Sequence, residues 1–305
     1  MLNARRIGEE AERVALMLPL RQDEAFGSFY SYLTVEEPAV HLMPLHFLPD
    51  ASRGRVDEGF LRELSVAAKL EYARNRWLDE LADNPGSVTG LSSAHRLNEA
   101  LIRLIHSRYA EVLDGAAAAA FFPVLSDLHA SHGLSLILDS TWSRNSPPSM
   151  TVGEYAGHAR TRHGPVRAPL DAVLFRVGAA DSLLERARDS WHNWALGVQF
   201  YDDAIDVEED FQDHNLSWTV ARTLEYYDEQ HVDPDTPGTP TPDAFYEKAM
   251  TEGIVSETLG YAESYFAESA RFAEPAFPSW VAYQRACMDR TRLLREDYER
   301  LISEA

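Results

Sequence analysis

The sequence has a single cysteine, Cys287, in 305 residues, which excludes an intramolecular disulfide and suits a reducing compartment. Basic residues are scarce: 28 Lys and Arg face 49 Asp and Glu, a formal net charge of −21. That balance argues against nucleic acid and anionic membrane surfaces as partners, because both want basic patches. No run of about 18 apolar residues is present, so no membrane span is expected. The opening MLNARRIGEEAERVALMLPL begins basic, but acids interrupt it before any long apolar run, so it makes a poor signal peptide. A cytoplasmic location is the expectation. Strand-like alternation closed by tight turns such as Asn-Gly is also missing.

What remains is helical patterning, with 45% apolar and 10% aromatic residues available for a core. Short helices are expected over 5–17, 22–34 and 38–47, then a longer one over 56–83 stopped by Asn84-Pro85-Gly86. Ser92 or Ser93 is a candidate cap for the next helix, which ends near Gly115. An apolar helix follows, from Ala116 to about Trp142. After the loop SRNSPPSM (143–150), helices are expected over 152–162, 168–182, 184–213 and 217–227. The Pro-rich HVDPDTPGTPTPD (231–243) precedes helices near 243–272 and 277–303. The expected architecture is a single all-α domain, residues 1–305, built as a bundle of about ten helices. A homodimer is compatible with it.

The chemistry concentrates in two helices. Asp202 to Asp213 holds seven carboxylates in twelve residues, with no basic residue, Gly or Pro. On a helix Asp202, Asp206 and Asp210 stand above one another, about 6 Å apart along the axis. Like charges at that spacing repel, so a cation is expected among them. Asp202 and Asp206 continue a row that carries Trp191, Ala195 and Val198. In the 56–83 helix, Tyr72, Arg76, Asp79 and Asp83 follow at spacings of four, three and four, in a row that starts at Leu64 and Ala68. Each helix thus turns an apolar face acidic near one end. If the two face each other, the carboxylates line the mouth of an apolar cavity.

A solvated acidic face is the bland alternative. An EF-hand fails because Phe211 stands where its loop needs Gly and Ser217 where it needs Glu. A dinuclear iron site would want Glu-x-x-His pairs, and neither His192 nor His214 is so spaced. Zinc would want His or Cys in register. Oxygen-only donors fit Mg²⁺ best, and Mg²⁺ is usually held by a few carboxylates together with substrate phosphates.

The residues also carry a resemblance. YARNRWLDELAD (72–83) resembles the first aspartate motif of squalene and phytoene synthases. In QFYDDAIDVEED (199–210), Gln199 and DDAID resemble the second aspartate motif of trans-prenyl diphosphate synthases, and DVEED resembles that of squalene and phytoene synthases. Both families belong to the class I isoprenoid synthase superfamily, which also houses terpene cyclases. The clear resemblance covers about 40 residues, in two motifs about 120 residues apart. It implies that Asp79, Asp83, Asp202, Asp206 and Asp210 hold a cluster of up to three Mg²⁺ around a prenyl diphosphate and carry its ionisation. Tyr72 belongs to the matched motif, and Arg76 falls on the phosphate-contacting arginine. Arg162, seven residues after Tyr155, resembles a phosphate-binding lysine of prenyl synthases; a helix-end cap is its other reading.

The departures matter. Chain-elongating enzymes pair the aspartates of the first motif, follow them with Arg-Arg and carry an N-terminal Gly-Lys-Arg; here the motif is DELAD followed by NPGSVTG, with no Gly-Lys-Arg. Ile205 replaces an arginine usual in squalene and phytoene synthases, and Ala221 replaces the Glu of a motif of bacterial terpene cyclases. The resemblance thus implies a class I terpene synthase, a lyase that ionises a linear prenyl diphosphate and cyclises or quenches the cation. Head-to-head prenyl transfer and a non-catalytic metal-binding bundle are the alternatives. Trp77, Trp191, Trp194, Phe200, Tyr201 and Trp218 are candidate walls for a carbocation, or plain core. In the last helix Tyr283, Cys287, Leu294, Tyr298 and Leu301 form a stripe bearing Arg290, expected to face a buried anion; Arg295 lies one row over.

Overall fold

The computed structural model describes residues 3–21, 24–83, 91–139, 151–227 and 240–304. Among them there is no strand, and the all-α class is as expected. The helices are α1 (Ala4–Ala15), α2 (Glu24–Thr34), α3 (Pro38–His41), α4 (Met43–His46), α5 (Glu58–Asp83), α6 (Leu91–Val112), α7 (Gly115–Asp139) and α8 (Val152–Arg162). They continue with α9 (Ala168–Arg176), α10 (Asp181–Ile205), α11 (Val207–Gln212), α12 (Trp218–Leu224), α13 (Pro242–Thr251), α14 (Ile254–Ala273) and α15 (Pro278–Glu304). Two 3₁₀ turns lie at Asp50–Arg55 and Gly164–Arg167.

Several expected helices are divided. The 38–47 segment is two short helices, with Pro44 early in the second. The 243–272 segment breaks at Gly253, whose φ of 76° only glycine adopts readily. The helix expected over 168–182 ends at Arg176, where Gly178 takes φ 65° two residues on. Ser92 and Ser93 lie inside α6 and do not precede it. The stop at 84–86 and the loop 143–150 lie outside the described residues, as does the Pro-rich loop up to residue 239.

The most consequential division is at Asp206, between α10 and α11. The helical hydrogen bonds continue across it, from Asp206 N to the Asp202 carbonyl at 2.9 Å and from Asp210 N to the Asp206 carbonyl at 2.7 Å. What changes is the backbone at Asp206, which takes φ −99° and ψ 18°. Val207 and Phe211 are fully buried in α11, with the Phe211 ring stacked on Phe245 at 4.0 Å. Asp206, Glu208 and Glu209, between and beside these two buried side chains, are exposed.

The chain divides into two compact units, each described by itself. Unit 1 comprises Met1–Ile137, Thr161–Arg188 and Pro275–Pro278. Helix α5 is its axis and packs against α1, α2, α3, α4, α6 and α9. This explains why every residue of α5 from Leu64 to Leu70 is buried, including Lys69. Such a helix must also pair its buried charges. Glu71 accepts from His129 Nε2 at 2.9 Å, and Arg74 donates to Asn98 at 2.8 Å. Burial opposes ionisation of Glu71, but His129, Arg74 and His106 outweigh it and hold the carboxyl below its ordinary range.

Unit 2 comprises Leu138–Arg160, Asp189–Glu274 and Ser279–Ala305. Its core has an apolar cluster around Phe211, Val220, Phe245 and Leu259, and a run of tryptophans, Trp191, Trp194 and Trp280, in edge contact. Trp280 Nε1 donates to Ser190 Oγ at 3.0 Å. Helices α10 and α14 meet at Gly197, where an added Cβ would stand 2.6 Å from the buried Phe266 ring. Gly197→Ala is therefore expected to destabilise the fold by about 1–3 kcal/mol through overpacking. A thermal melt checks this; an unchanged Tm would show that Phe266 moves aside at no cost.

Candidate active site

In unit 2 the acidic motif is organised by a residue the sequence reading passed over, Asp203. It is 2% exposed. Its carboxylate accepts from Tyr155 Oη at 2.6 Å, Gln199 Nε2 at 2.7 Å and the Trp218 backbone N–H at 3.1 Å. These bonds tie α8 and the start of α12 to α10. Tyr155 in turn packs on Phe200 and Trp218, and Tyr265 stacks on the other rings through Phe200. Gln199, four residues earlier, was the available signal: an amide one turn before a carboxylate on a helix can donate to it.

Around this anchor the other carboxylates are graded in exposure. Asp206 is exposed, Asp202 and Asp210 are half-buried. Burial pushes Asp203 up to about 6, against the hydrogen bonds it accepts, with the Asp202 charge adding to the rise. Burial also pushes Asp210 up to about 7, helped by the charges of Asp203 and Asp206. Below Asp206 a cleft of about 400 Å³ is lined by Ile205, Asp206, Glu208, Glu209, Gln212 and Tyr246.

The basic residues expected here sit differently. Arg290 is exposed, with its guanidinium 5.1 Å above the Tyr201 ring. It does not lie on a buried stripe, and Leu301 of that stripe is 57% exposed. Arg295 is engaged by Glu263 at 2.9 Å. Tyr298 packs against the Phe211 cluster. Of the candidate wall aromatics in unit 2, Trp191, Trp194, Phe200 and Trp218 are buried and Tyr201 is half-buried.

In unit 1, Asp79 is 5% exposed and compensated within the protein. One oxygen lies 3.1 Å from His132 Nε2 and 3.6 Å from Arg162 Nε; the other is 3.4 Å from Asn75 Nδ2. Burial opposes its ionisation, but Arg162, His132 and His163 outweigh it and hold Asp79 below the ordinary range. Tyr72 is half-buried and Arg76 is exposed, so the expected row is not uniformly buried. Trp77 is buried with its ring edge-on to Phe29. Helix α5 ends at Asp83, whose side chain is outside the described residues.

Does this donor set fit Mg²⁺? Among the described residues no three His, Cys, Asp or Glu side chains enclose a metal by themselves. An all-protein cage is not what Mg²⁺ requires, since it keeps several waters and takes one or two carboxylates plus phosphate oxygens. Asp202, Asp206 and Asp210 fit that role by donor chemistry and by their clustering within little more than two turns of chain. Asp79, which already has His132 and Arg162, fits it less directly.

No protein-family model and no curated protein sequence matches the chain. Solved structures do. A geranylgeranyl pyrophosphate synthetase from the archaeon Geoglobus acetivorans superposes with a TM-score of 0.72 at 16% identity, covering 93% of this chain and 95% of that one. An octaprenyl pyrophosphate synthase from Helicobacter pylori gives 0.70 at 11% identity, over 94% and 99% of the two chains. The chain has the all-α fold of the prenyl diphosphate synthases. A geranylgeranyl pyrophosphate synthase from Corynebacterium glutamicum, complexed with isoprenyl diphosphate and magnesium, gives 0.64 at 13% identity, over 95% and 99%. At such identities the likeness shows the fold alone.

The crowding of Asp203 and Asp210 has a measurable consequence. Their pKa values are raised above the unfolded carboxylate range, so their contribution is complete below about pH 4 and is lost as pH rises through 6 and 7. His41, His46 and His106, whose protonation burial disfavours, pull the overall profile the opposite way. The wild type must therefore be compared with Asp210→Asn. Without metal, the variant is expected to be more stable at pH 7.5, on the order of 2 kcal/mol, to keep only part of that advantage at pH 5 and to lose it below about pH 4. Mg²⁺ should raise the Tm of the wild type and not of the variant. Equal melting of both proteins at pH 7.5 would contradict the crowding.

Proposed function

We propose that the chain is a Mg²⁺-dependent enzyme acting on a prenyl diphosphate. The observation that carries this reading is the Asp202–Asp206–Asp210 series, set at a helix break with the buried carboxylates nearest it driven towards neutrality. A diphosphate leaves only when its charge is neutralised, and bound Mg²⁺ supplies a Lewis acid to its oxygens. Asp202, Asp206 and Asp210 are the proposed ligands in unit 2, where the exposed Arg290 is positioned to meet an anion from solvent. In unit 1 the corresponding proposal is Asp79 and Asp83 as ligands, with Tyr72 beside them and Arg76 and Arg162 on phosphate oxygens. Arg295 and Tyr298 are the weaker members of the substrate-binding set, because Glu263 and the Phe211 cluster already hold them.

Prenyl transfer is the favoured reaction. The three solved structures described above, which share the fold, are named as prenyl diphosphate synthases. This reverses the order taken from the motifs, which put the cyclase first. The cyclase retains one specific support, the lack of the paired first-motif aspartates and of Gly-Lys-Arg for a second substrate. In either case the buried rings of Phe200 and Trp218 supply an apolar, water-excluding surface suited to a carbocation.

The two readings separate in one assay. Prenyl diphosphates of ten to twenty-five carbons are supplied with Mg²⁺, singly and with isopentenyl diphosphate, and the extracts are analysed by mass spectrometry. Transfer predicts a lengthened or coupled product; cyclisation predicts a hydrocarbon or alcohol from one substrate alone. Asp206→Asn should lower turnover about a hundredfold or more without a change in Tm, since Asp206 is exposed and outside the core. No product under any condition, with pyrophosphate never released, would refute the enzyme reading.

A further inference from the structure

The chain has 28 basic side chains, and only two of them, Lys69 and Lys248, are lysines. Lys248 is on the surface of α13, paired with Glu252. Lys69 is 1% exposed in the middle of α5. Its side chain lines a cavity of about 230 Å³ in unit 1, together with Arg5, Glu9, Glu12, Glu36 and His41. That is room for roughly seven waters. Arg5 and Glu9, on the rim, are well exposed, so the cavity communicates with solvent at α1. His41 is also 1% exposed, and neither of its ring nitrogens has a hydrogen-bond partner among the described residues. An unpaired buried imidazole is costly, and here it lies beside an amine at a cavity.

The bland role for Lys69 is structural: its ammonium donates to the Val35 carbonyl just after α2. That bond uses one of three donors and leaves His41 unexplained.

We propose that this cavity is a site where Lys69 captures a short, uncharged aldehyde as an imine. The site is separate from the diphosphate reading and does not depend on it. The amine lone pair attacks the carbonyl carbon, forming a C–N bond as the C=O π pair moves to oxygen. A proton passes from nitrogen to that oxygen, giving a carbinolamine; loss of water then leaves C=N. No oxidant or reductant is needed. The neutral imidazole of His41 offers one N–H and one bare nitrogen, the pair of functions that proton transfer requires. With Glu9 paired to Arg5, Glu12 and Glu36 remain on the wall to repel an aldehyde that carries a carboxylate. Burial supports the amine chemistry by pulling Lys69 down to about 8, against the charges of Glu12, Glu36 and Glu37, and it pulls His41 down to about 3, with Lys69 adding to that fall. About a tenth of Lys69 is then uncharged at pH 7.

The test uses the full chain, propionaldehyde and cyanoborohydride at pH 7.5, with peptide mapping by mass spectrometry. Lys69 is expected to be propylated at least about tenfold faster than Lys248, and glyoxylate should react with it more slowly than propionaldehyde. His41→Leu should cut the Lys69 rate about tenfold while leaving that of Lys248 unchanged. The comparison of the two lysines needs no variant. Lys69 modified no faster than Lys248 would overturn the proposal and leave it a cap for Val35. Equal rates with glyoxylate would overturn the assignment to uncharged aldehydes.

Discussion

Repulsion among neighbouring carboxylates is the constraint around which unit 2 is arranged. Asp202, Asp203, Asp206 and Asp210 occupy little more than two turns of chain, and burial, with the neighbouring carboxylate charges adding to it, drives two of them up to about 6 and 7. The protein handles this crowding in three ways. Asp203 is withdrawn into the core and given three hydrogen-bond donors. Asp206 is set at a break where the following helix buries Val207 and Phe211. Asp210 remains half-buried near both. The Tyr155, Phe200 and Trp218 rings hold the arrangement, so the aromatic core and the acidic motif act as one piece. Crowding carboxylates in this way lowers stability, and that is intelligible if binding a cation is what the arrangement serves.

Unit 1 treats its aspartate differently. Asp79 already has His132 and Arg162 within 3.6 Å. An arginine beside a carboxylate occupies the position of a cation, and Arg162 is the more exposed partner of this pair while Asp79 is buried in α5. The two motifs look alike as sequence, yet one carries raised carboxyls and the other a depressed one.

Much of the helical pattern was legible because helix periodicity and Gly and Pro punctuation are local. The segments 152–162 and 277–303 differ from α8 and α15 by a residue at each end at most. The break at Gly253 was missed because the amphipathic pattern runs through it; only the backbone reveals its left-handed φ. The break at Asp206 has no Gly or Pro and is driven by what Phe211 packs against, which is a long-range fact. Site residues followed the same division. Asp202, Asp206 and Asp210 were found from spacing, whereas Asp203 needed its partners on α8 and α12. Arg290 was placed on a buried stripe because Tyr283 and Cys287 precede it, but the buried row of α15 runs through Gln284, Cys287 and Thr291, which leaves Arg290 beside it at the surface. Lys69 was unreadable, since a lysine among Ala67, Ala68 and Leu70 looks like the polar edge of an amphipathic helix until every face of α5 proves covered.

The central claim is that the crowded carboxylates await a cation that brings a diphosphate with it. Calorimetric titration of inorganic pyrophosphate, with and without Mg²⁺, tests this most directly. The account predicts binding that requires Mg²⁺, is lost in Asp202→Asn and Asp206→Asn, and is retained in Lys69→Arg. Pyrophosphate that binds equally well without Mg²⁺, or that binds both aspartate variants as tightly as the wild type, would contradict it.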